Sequence, residues 1–323
     1  MDQIIQHIKD SQHILIASHA QPDGDSLGSL VALGLALTRL DKKITMHNPS
    51  PIPAVYRFLP GVGRIVRQIK NPESYELALV LDCGDLTRIG ETSAEVGKIP
   101  ILINIDHHVS NTGFGHIQLV DTTACATAEI VYRLINALEI PFDKAIATSI
   151  YTGILTDTGS FRFSNTNQAA FAISKAMTDA GVEPHTVAQR VFGTYSLGRI
   201  KLLNMALNSI EISDNGKLSM MTITRSMLNT TGTNTEDLDG MINYARRIED
   251  VKVAALIHEI KNGAGKFTNM NRYHVSLRSD SSVDVARIAA KFGGGGHTSA
   301  AGFQIESTLL ALQTKIIDLA KDL

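Results

Sequence analysis

The sequence predicts an α/β protein. It should have a larger N-terminal domain with a mainly parallel sheet flanked by helices, plus a smaller C-terminal α/β domain. Three observations carry this. Short aliphatic and β-branched runs alternate with longer segments whose apolar residues recur at helical spacing, as in a parallel sheet with crossover helices. Three of the short runs end abruptly in aspartate or histidine. Past about residue 208 the composition changes to paired strand-like segments around an Asn-Gly turn. The expected boundaries are 1–190 for the first domain, 191–210 for a helical linker and 211–323 for the second.

Composition narrows the class. A chain of 323 residues with 44% hydrophobic content is long and apolar enough for two globular domains. Its formal net charge of −2 gives no broad basic field of the kind that grips a long nucleic-acid backbone. Duplex nucleic acid is therefore not an expected partner. Cys83 and Cys125 are the two cysteines and suggest no disulfide framework, so a reducing, cytoplasmic setting is expected. The N-terminus has no basic and apolar leader pattern. The most apolar helical run, 27–40, is too short and interrupted to span a bilayer, so no membrane is expected.

Each element of the first domain has its own warrant. Residues 1–10 have the period of a short amphipathic helix. Residues 13–18 are a buried strand that runs into His19, Pro22, Asp23, Gly24 and Asp25, where Pro and Gly mark a tight turn. Asp23 and Asp25, one residue apart in an extended loop, point to the same side. Residues 26–40 follow as a helix, 43–47 as a second strand and 49–60 as a proline-broken connection. Residues 77–81 are a third strand, ending in Asp82, with Asp85 a candidate helix cap. Residues 101–105 are the next strand, followed by Asp106, His107 and His108. Residues 125–138 and 142–155 read as helices, the second buried and leading into Asp157; 163–181 and 184–192 continue as helices.

Any one of these acids alone reads as a cap or a polar turn. Repetition changes the weighing. His19, Asp23, Asp25, Asp82, Asp106, His107 and His108 should gather along one edge of a sheet, where ligands of open α/β sheets bind. Crowded carboxylates repel one another, and divalent cations remove that cost. Oxygen and imidazole donors without thiolate suit Mn²⁺ first, with Mg²⁺ as the alternative. Asp157 alone would be a turn residue; beside this set it is a further candidate ligand.

His19-x-x-Pro22-Asp23-x-Asp25, Asp82, Asp106-His107-His108 and Asp157 together resemble, in order, the four motifs of the DHH phosphoesterase superfamily. The resemblance implies a phosphoesterase with two divalent cations. One would take His19, Asp23 and Asp82; the other would take Asp25, Asp82, His107 and Asp157. It further implies that Asp106 orients a histidine and that His108 faces the substrate phosphate, these two being the catalytic pair. A hydroxide shared by the cations would attack phosphorus in line.

In the second half, residues 196–208 read as a connecting helix. Residues 209–213 and 217–224 form a hairpin around Asp214-Asn215-Gly216, 251–260 and 272–278 further strands, and 283–292 and 309–323 helices. The run Gly293 to Gly296, followed by His297, lets a backbone approach a ligand, and amides in such a loop hold anions. It is not a Walker A loop, because no Lys-Ser/Thr pair follows. By itself such a run is more often a flexible turn. Arg278 at a strand end strengthens the anion reading. Residues 242–291 carry nine Lys or Arg against five Asp or Glu, which suits a phosphate-bearing substrate and a solvated surface equally.

This half is similar to the DHH-associated C-terminal domain, so the resemblance spans nearly the whole chain. It implies an active site in the cleft between the domains, with Arg278, Gly294, Gly295, Gly296 and His297 binding substrate. The two-domain layout resembles the group of nano-RNases and pAp phosphatases. It leaves no residues for the OB-fold of RecJ-type exonucleases or for the sensor and membrane domains of cyclic-dinucleotide phosphodiesterases. The implied substrates are single-stranded RNAs of two to five nucleotides, the 3′-phosphate of pAp, and dinucleotides. A linear or cyclic dinucleotide phosphodiesterase, a polyphosphatase, a type II inorganic pyrophosphatase and a non-hydrolysing nucleotide sensor are the rivals. The Gly-His module argues against the pyrophosphatase and the intact ligand set against the sensor. Phe161 or Tyr195 would stack on a base or sit in the core, and a homodimer is left open.

Overall fold

The computed structural model of the protein describes residues 1–193, 195–260, 270–280 and 282–323. The chain divides into two compact units, Met1–Thr194 and Tyr195–Leu323.

The first unit runs α1 (Asp2–Asp10), β1 (His13–Ser18), α2 (Gly24–Thr38), β2 (Lys43–His47), β3 (Leu77–Leu81), α3 (Ser93–Val96), β4 (Ile101–Asp106), β5 (Ile117–Val120), α4 (Thr127–Ala137), α5 (Lys144–Asp157), α6 (Gln168–Asp179) and α7 (Pro184–Phe192). The strands form one parallel sheet in the order β2-β1-β3-β4-β5. Strand order reverses between β1 and β3, and the crevice beyond such a reversal is where ligands bind. Register makes this concrete. Ser18 pairs with Leu81, and Leu81 with Ile105. The residues one step further, His19, Asp82 and Asp106, therefore fall on one line across the carboxyl edge.

The side-chain period of two divides the sheet's apolar residues between its faces. Ile14, Ile16, Leu77, Leu79, Leu81, Ile103 and Ile105 join the core built with α1, α2, α4 and α5. Leu15, Ala17, Ala78, Val80 and Leu102 form a thinner core with Tyr75, Ile89, Val96 and Ile99. Helices α2 and α5 cross at close range because glycine sits at the crossing. A Cβ on Gly28 would lie 2.5 Å from the Ser149 carbonyl oxygen.

Several local expectations need correction. Helix α2 starts at Gly24, not residue 26, so Asp25 stands in its first turn rather than in an extended loop. Helix α5 reaches Asp157 instead of stopping before it. The helix expected from residue 163 begins at Gln168, capped by Asn167. Strand β5 was not expected; it is four residues long and half-exposed, too short to leave a periodic signal.

The second unit runs α8 (Leu197–Asn208), β6 (Glu211–Ile212), β7 (Leu218–Ile223), α9 (Arg225–Thr231), α10 (Ile242–Arg246), β8 (Val253–Ile260), β9 (Asn271–Ser279), α11 (Val285–Ala290), β10 (Gly295–His297), β11 (Ala300–Ser307) and α12 (Leu309–Asp318). Its sheet has the order β10-β11-β9-β8-β7-β6, antiparallel except between β7 and β8. Helices α11 and α12 cover one face, and α8, α9 and α10 cover the β7–β8 part of the other. The Asn-Gly hairpin is present, with Gly216 at φ +71°. The second half of the glycine run, expected as a loop, is a strand. Gly295 pairs with Gly302 and Gly296 with Ala301. A Cβ on Gly294 would lie 2.2 Å from the Gly302 carbonyl oxygen, so close strand approach explains that glycine.

Gly28→Ala should strain the α2–α5 crossing, since overpacking a tight contact costs about 1–3 kcal/mol. Urea unfolding should show the midpoint falling with an unchanged slope; an unchanged midpoint would mean that the helices separate without cost.

Candidate metal centre

The site grows from the carboxyl edge of the first sheet. His19 follows β1, Asp82 follows β3, Asp106 ends β4, and His107 and His108 come directly after it. Asp82 has a left-handed backbone, φ +55°, which aspartate tolerates better than most residues. Asp25, Asp82 and Asp106 are 1%, 2% and 0% exposed. Carboxylates this deep need partners.

Asp25 finds them at the start of α4. The N-cap residue of that helix, Ala126, has no side chain to cap it. The first two amides of the helix donate instead to Asp25, Thr127 N to Oδ2 at 2.7 Å and Ala128 N to Oδ1 at 2.9 Å. The positive end of a helix favours a negative group there. Space for the carboxylate comes from Gly153 on α5, where a Cβ would lie 2.9 Å from Asp25 Oδ1. Asp82 Oδ1 accepts from Thr127 Oγ1 at 2.9 Å. Asp23 caps α2, accepting from Ser26 N while its own amide donates to Ser26 Oγ. Asn165 Nδ2 donates to Asp157 Oδ2 at 3.2 Å.

The histidines are oriented by acceptors. His19 Nδ1 lies 2.9 Å from the Ala20 carbonyl oxygen and His107 Nδ1 lies 3.3 Å from that of Ala124. A carbonyl only accepts, so the proton sits on Nδ1 and each Nε2 is left to the carboxylates. His19 Nε2 is 3.5 Å from Asp82 Oδ2 and 3.9 Å from Asp23 Oδ1. His107 Nε2 is 3.6 Å from Asp157 Oδ2, 3.8 Å from Asp82 Oδ1 and 4.0 Å from Asp25 Oδ2. These gaps are long for hydrogen bonds. They match the ~3–4 Å between two ligands of one cation bonded at ~2.1 Å.

Three groups could hold an ion: His19, Asp23 and Asp82; Asp25, His107 and Asp157; and Asp82, His107 and His108. The first coincides with the set implied for one cation. The second gives the other set without Asp82, whose carboxylate borders both. Asp23 and Asp25, expected on one side of a loop, go to different groups because Asp25 turns with the helix. Asp106 stays out of all three. Its Oδ1 lies 2.7 Å from His108 Nδ1 and its Oδ2 accepts from Asn111 Nδ2 at 2.6 Å, so it orients His108.

Among themselves these charges are badly matched. Burial pushes Asp25 well up, and Asp82 and Asp157 add to it. Burial and neighbouring carboxylates take Asp157 to about 7, despite His107. Burial would raise Asp82, but His19 and then the other imidazoles pull it far down. Burial would lower His19 and His108, but Asp82 for the first and Asp106 for the second take each to about 9. Divalent cations answer this frustration directly. The donors are oxygen and imidazole. Burial raises the Cys83 thiol to about 12 and that of Cys125 further, so neither offers a thiolate.

Sequence reasoning missed Thr127, Asn111, Asn165 and Gly153. Only Thr127 left a signal, as the first residue of a helix with no capping side chain before it. Arg278 lies on β9 in the second unit, half-buried, its Nη1 donating to the Leu277 carbonyl at 3.0 Å. Gly295, Gly296 and His297 lie on β10 with Gly294 just before it; the side chain of His297 lies outside the described residues. Of the two candidate stacking rings, Phe161 lies 5.2 Å from Phe171 in a stacked pair, and the Arg199 guanidinium lies 4.2 Å over Tyr195.

A parallel sheet whose carboxyl edge draws aspartates and histidines into overlapping groups able to hold a cation has the donor set of a metal-dependent hydrolase. Residues 13–154 match the DHH family, N-terminal domain, and residues 219–323 match the DHHA1 domain. Over 290 residues the chain is 32% identical to the bifunctional oligoribonuclease and PAP phosphatase NrnA of Thermus thermophilus, covering 90% of this chain and 83% of that one. The Bacillus subtilis protein of the same name is 26% identical over 313 residues, 94% and 93% of the two chains. The crystal structure of an exopolyphosphatase-related protein from Bacteroides fragilis matches with a TM-score of 0.89 at 26% identity, covering 99% of this chain and 96% of that one. The chain belongs to the DHH family, with a DHHA1 domain following.

Asp82 belongs to two of the three candidate groups, and its amide isostere would keep the Thr127 contact while losing the charge. Asp82→Asn should therefore abolish turnover and lower bound metal without unfolding the protein. Metal content, circular dichroism and activity measured together test this; full activity in the variant, or in chelator-treated wild type, would exclude the assignment.

Proposed function

We propose that this protein is a cation-dependent phosphoesterase that degrades short oligoribonucleotides to mononucleotides and removes the 3′-phosphate of pAp. The observation that carries the reading is the similarity, over about nine-tenths of the chain, to proteins named for those two activities. The gathered carboxylates and imidazoles support it chemically.

His19, Asp23, Asp25, Asp82, His107 and Asp157 would hold two divalent cations, Mn²⁺ by preference and Mg²⁺ as the alternative. Cations bound there would supply a hydroxide at neutral pH and stabilise charge on the attacking and leaving oxygens. The chain's own groups do the rest. The Asp106 carboxylate keeps the His108 proton on Nδ1 and steadies positive charge on the ring, so His108 Nε2–H can donate to a phosphate oxygen or the leaving group. Asp25, fixed by two amides, keeps its position whether or not an ion is bound. In the second unit, Arg278, Gly294, Gly295, Gly296 and His297 would bind the substrate's other phosphates, a task suited to the guanidinium's fork of donors.

Short single-stranded substrates suit a net charge of −2 and the lack of a long basic track. A cytoplasmic setting is supported by two buried, unpaired thiols. No helix among the described residues is long and apolar enough to cross a membrane. The match to an exopolyphosphatase-related protein keeps polyphosphate as a second reading.

With Mn²⁺, dinucleotides should be cleaved faster than a long single strand at equal concentration of ends, pAp should release phosphate, and polyphosphate should be the poorer substrate. Faster decay of the long strand or of polyphosphate would replace this reading.

Arg278→Ala should retain metal and slow hydrolysis of a generic aryl phosphodiester, yet lose on the order of ten- to a hundredfold in kcat/KM on a dinucleotide, as expected for a lost charge-assisted hydrogen bond of ~1.5–3 kcal/mol. Equal losses on both esters would show that Arg278 serves the fold instead.

A further inference from the structure

One face of the second sheet is only partly taken up by its cores. Along β9, Tyr273, Val275 and Leu277 enter the core under α11 and α12. Their neighbours His274, Ser276 and Arg278 alternate to the opposite face and are half-buried. Cross-strand register lays that face out in rows. His274 stands between His258 and Gln304, Ser276 between Leu256 and Gly302, and Arg278 between Ala254 and Ala300. Ala254 and Leu256 are covered by the core of α8, α9 and α10. Beyond them the floor is made of small residues, Ser276, Gly302 and Ala300, with His274 at one end and Arg278 at the other. Two same-face steps of a strand separate these ends by about 13 Å.

We propose that this face is a nucleobase subsite, in which the His274 imidazole stacks on a base and Arg278 takes the adjoining phosphate. It rests on the short-oligonucleotide reading above. The ring is positioned for such a role. A Cβ on Gly302 would lie 2.9 Å from the Val275 carbonyl oxygen and 3.4 Å from His274 Cε1 and Nε2, so the ring packs closely over that glycine. The His258 ring stands edge-on to it, centroids 6.5 Å apart at 64°, and Ser276 Oγ is 3.4 Å from Nδ1. Chemistry favours a base over a second phosphate at this end. Burial and then the charge of Arg278 hold His274 below its ordinary pKa, and burial with His274 takes His258 to about 4. Both rings are thus neutral near pH 7 and leave the positive charge to Arg278. Neutral aromatic rings, histidine included, are platforms on which unstacked bases lie. Phe161 and Tyr195 already have a ring or a guanidinium against them, and the chain has no tryptophan.

The test compares wild-type, His274→Ala and His274→Phe full-length protein on pApA and on an abasic phosphodiester of the same length. His274→Ala should raise KM for pApA about tenfold, in line with the loss of one base–aromatic stack, with kcat within about twofold. KM for the abasic ester should not move, and His274→Phe should recover most of the loss on pApA. An equal rise on the abasic ester would make His274 a phosphate contact, and no rise on either would remove it from the substrate. Failure of phenylalanine to rescue would point to a structural role; each of these three overturns the subsite. If wild type does not cleave pApA, the short-oligonucleotide reading fails separately. The imidazole resonances then decide the subsite: His274 should shift on titration with AMP but not with ribose 5-phosphate, and shifts with both or neither would overturn it.

Discussion

Burying several carboxylates at one edge of a parallel sheet is the constraint around which the first unit is arranged. Asp25, Asp82 and Asp106 are almost wholly excluded from water, and Asp157 is half-buried beside them. Such groups survive burial only when each is hydrogen-bonded or charge-matched. Each has a different answer. Asp25 takes the first amides of α4, Asp82 takes Thr127 and the imidazoles, and Asp106 takes His108 and Asn111. The close α2–α5 crossing follows from the same need, because Gly153 leaves the space that the Asp25 carboxylate occupies.

Much of this was legible in the sequence because sheet register and residue order coincide. A buried strand in a parallel sheet is a near-continuous apolar run, and its carboxyl end is where the run stops. Three runs stopping at His19, Asp82 and Asp106 therefore mark the edge in the sequence itself. Asp25 was harder. Pro22 and Gly24 look like loop residues, and helix propensity counts against Gly24. The deciding signal was Asp23 with Ser26 three residues later, a reciprocal cap that starts the helix early. The orienting partners were illegible for another reason. Asn111, Asn165 and Thr127 are ordinary polar residues until the fold brings them to a carboxylate.

The second unit shows the opposite balance. Several of its strands and helices could be read from alternation and period, but α9, α10 and β11 could not, and neither could the meaning of its glycines. A glycine run reads as freedom, whereas Gly294 and Gly296 are required by the approach of β11's backbone. The polar face of β9 was also hidden. His274 and Arg278 share a face only because both lie at even positions of the same strand, and Gly302 comes to lie under the His274 ring only through cross-strand pairing.

The backbone carbonyls of Ala20 and Ala124 each hold one ring nitrogen of His19 and His107, leaving Nε2 toward the carboxylates. Torsional freedom of both rings is therefore surrendered when the chain folds, not when an ion arrives. An ion bound between them would require little further ordering, and its loss would leave the rings facing the same way. A centre built like this behaves as a socket rather than a staple. A cation held there would be exchangeable without refolding, and the choice among cations would follow supply and donor hardness more than the shape of the protein around it.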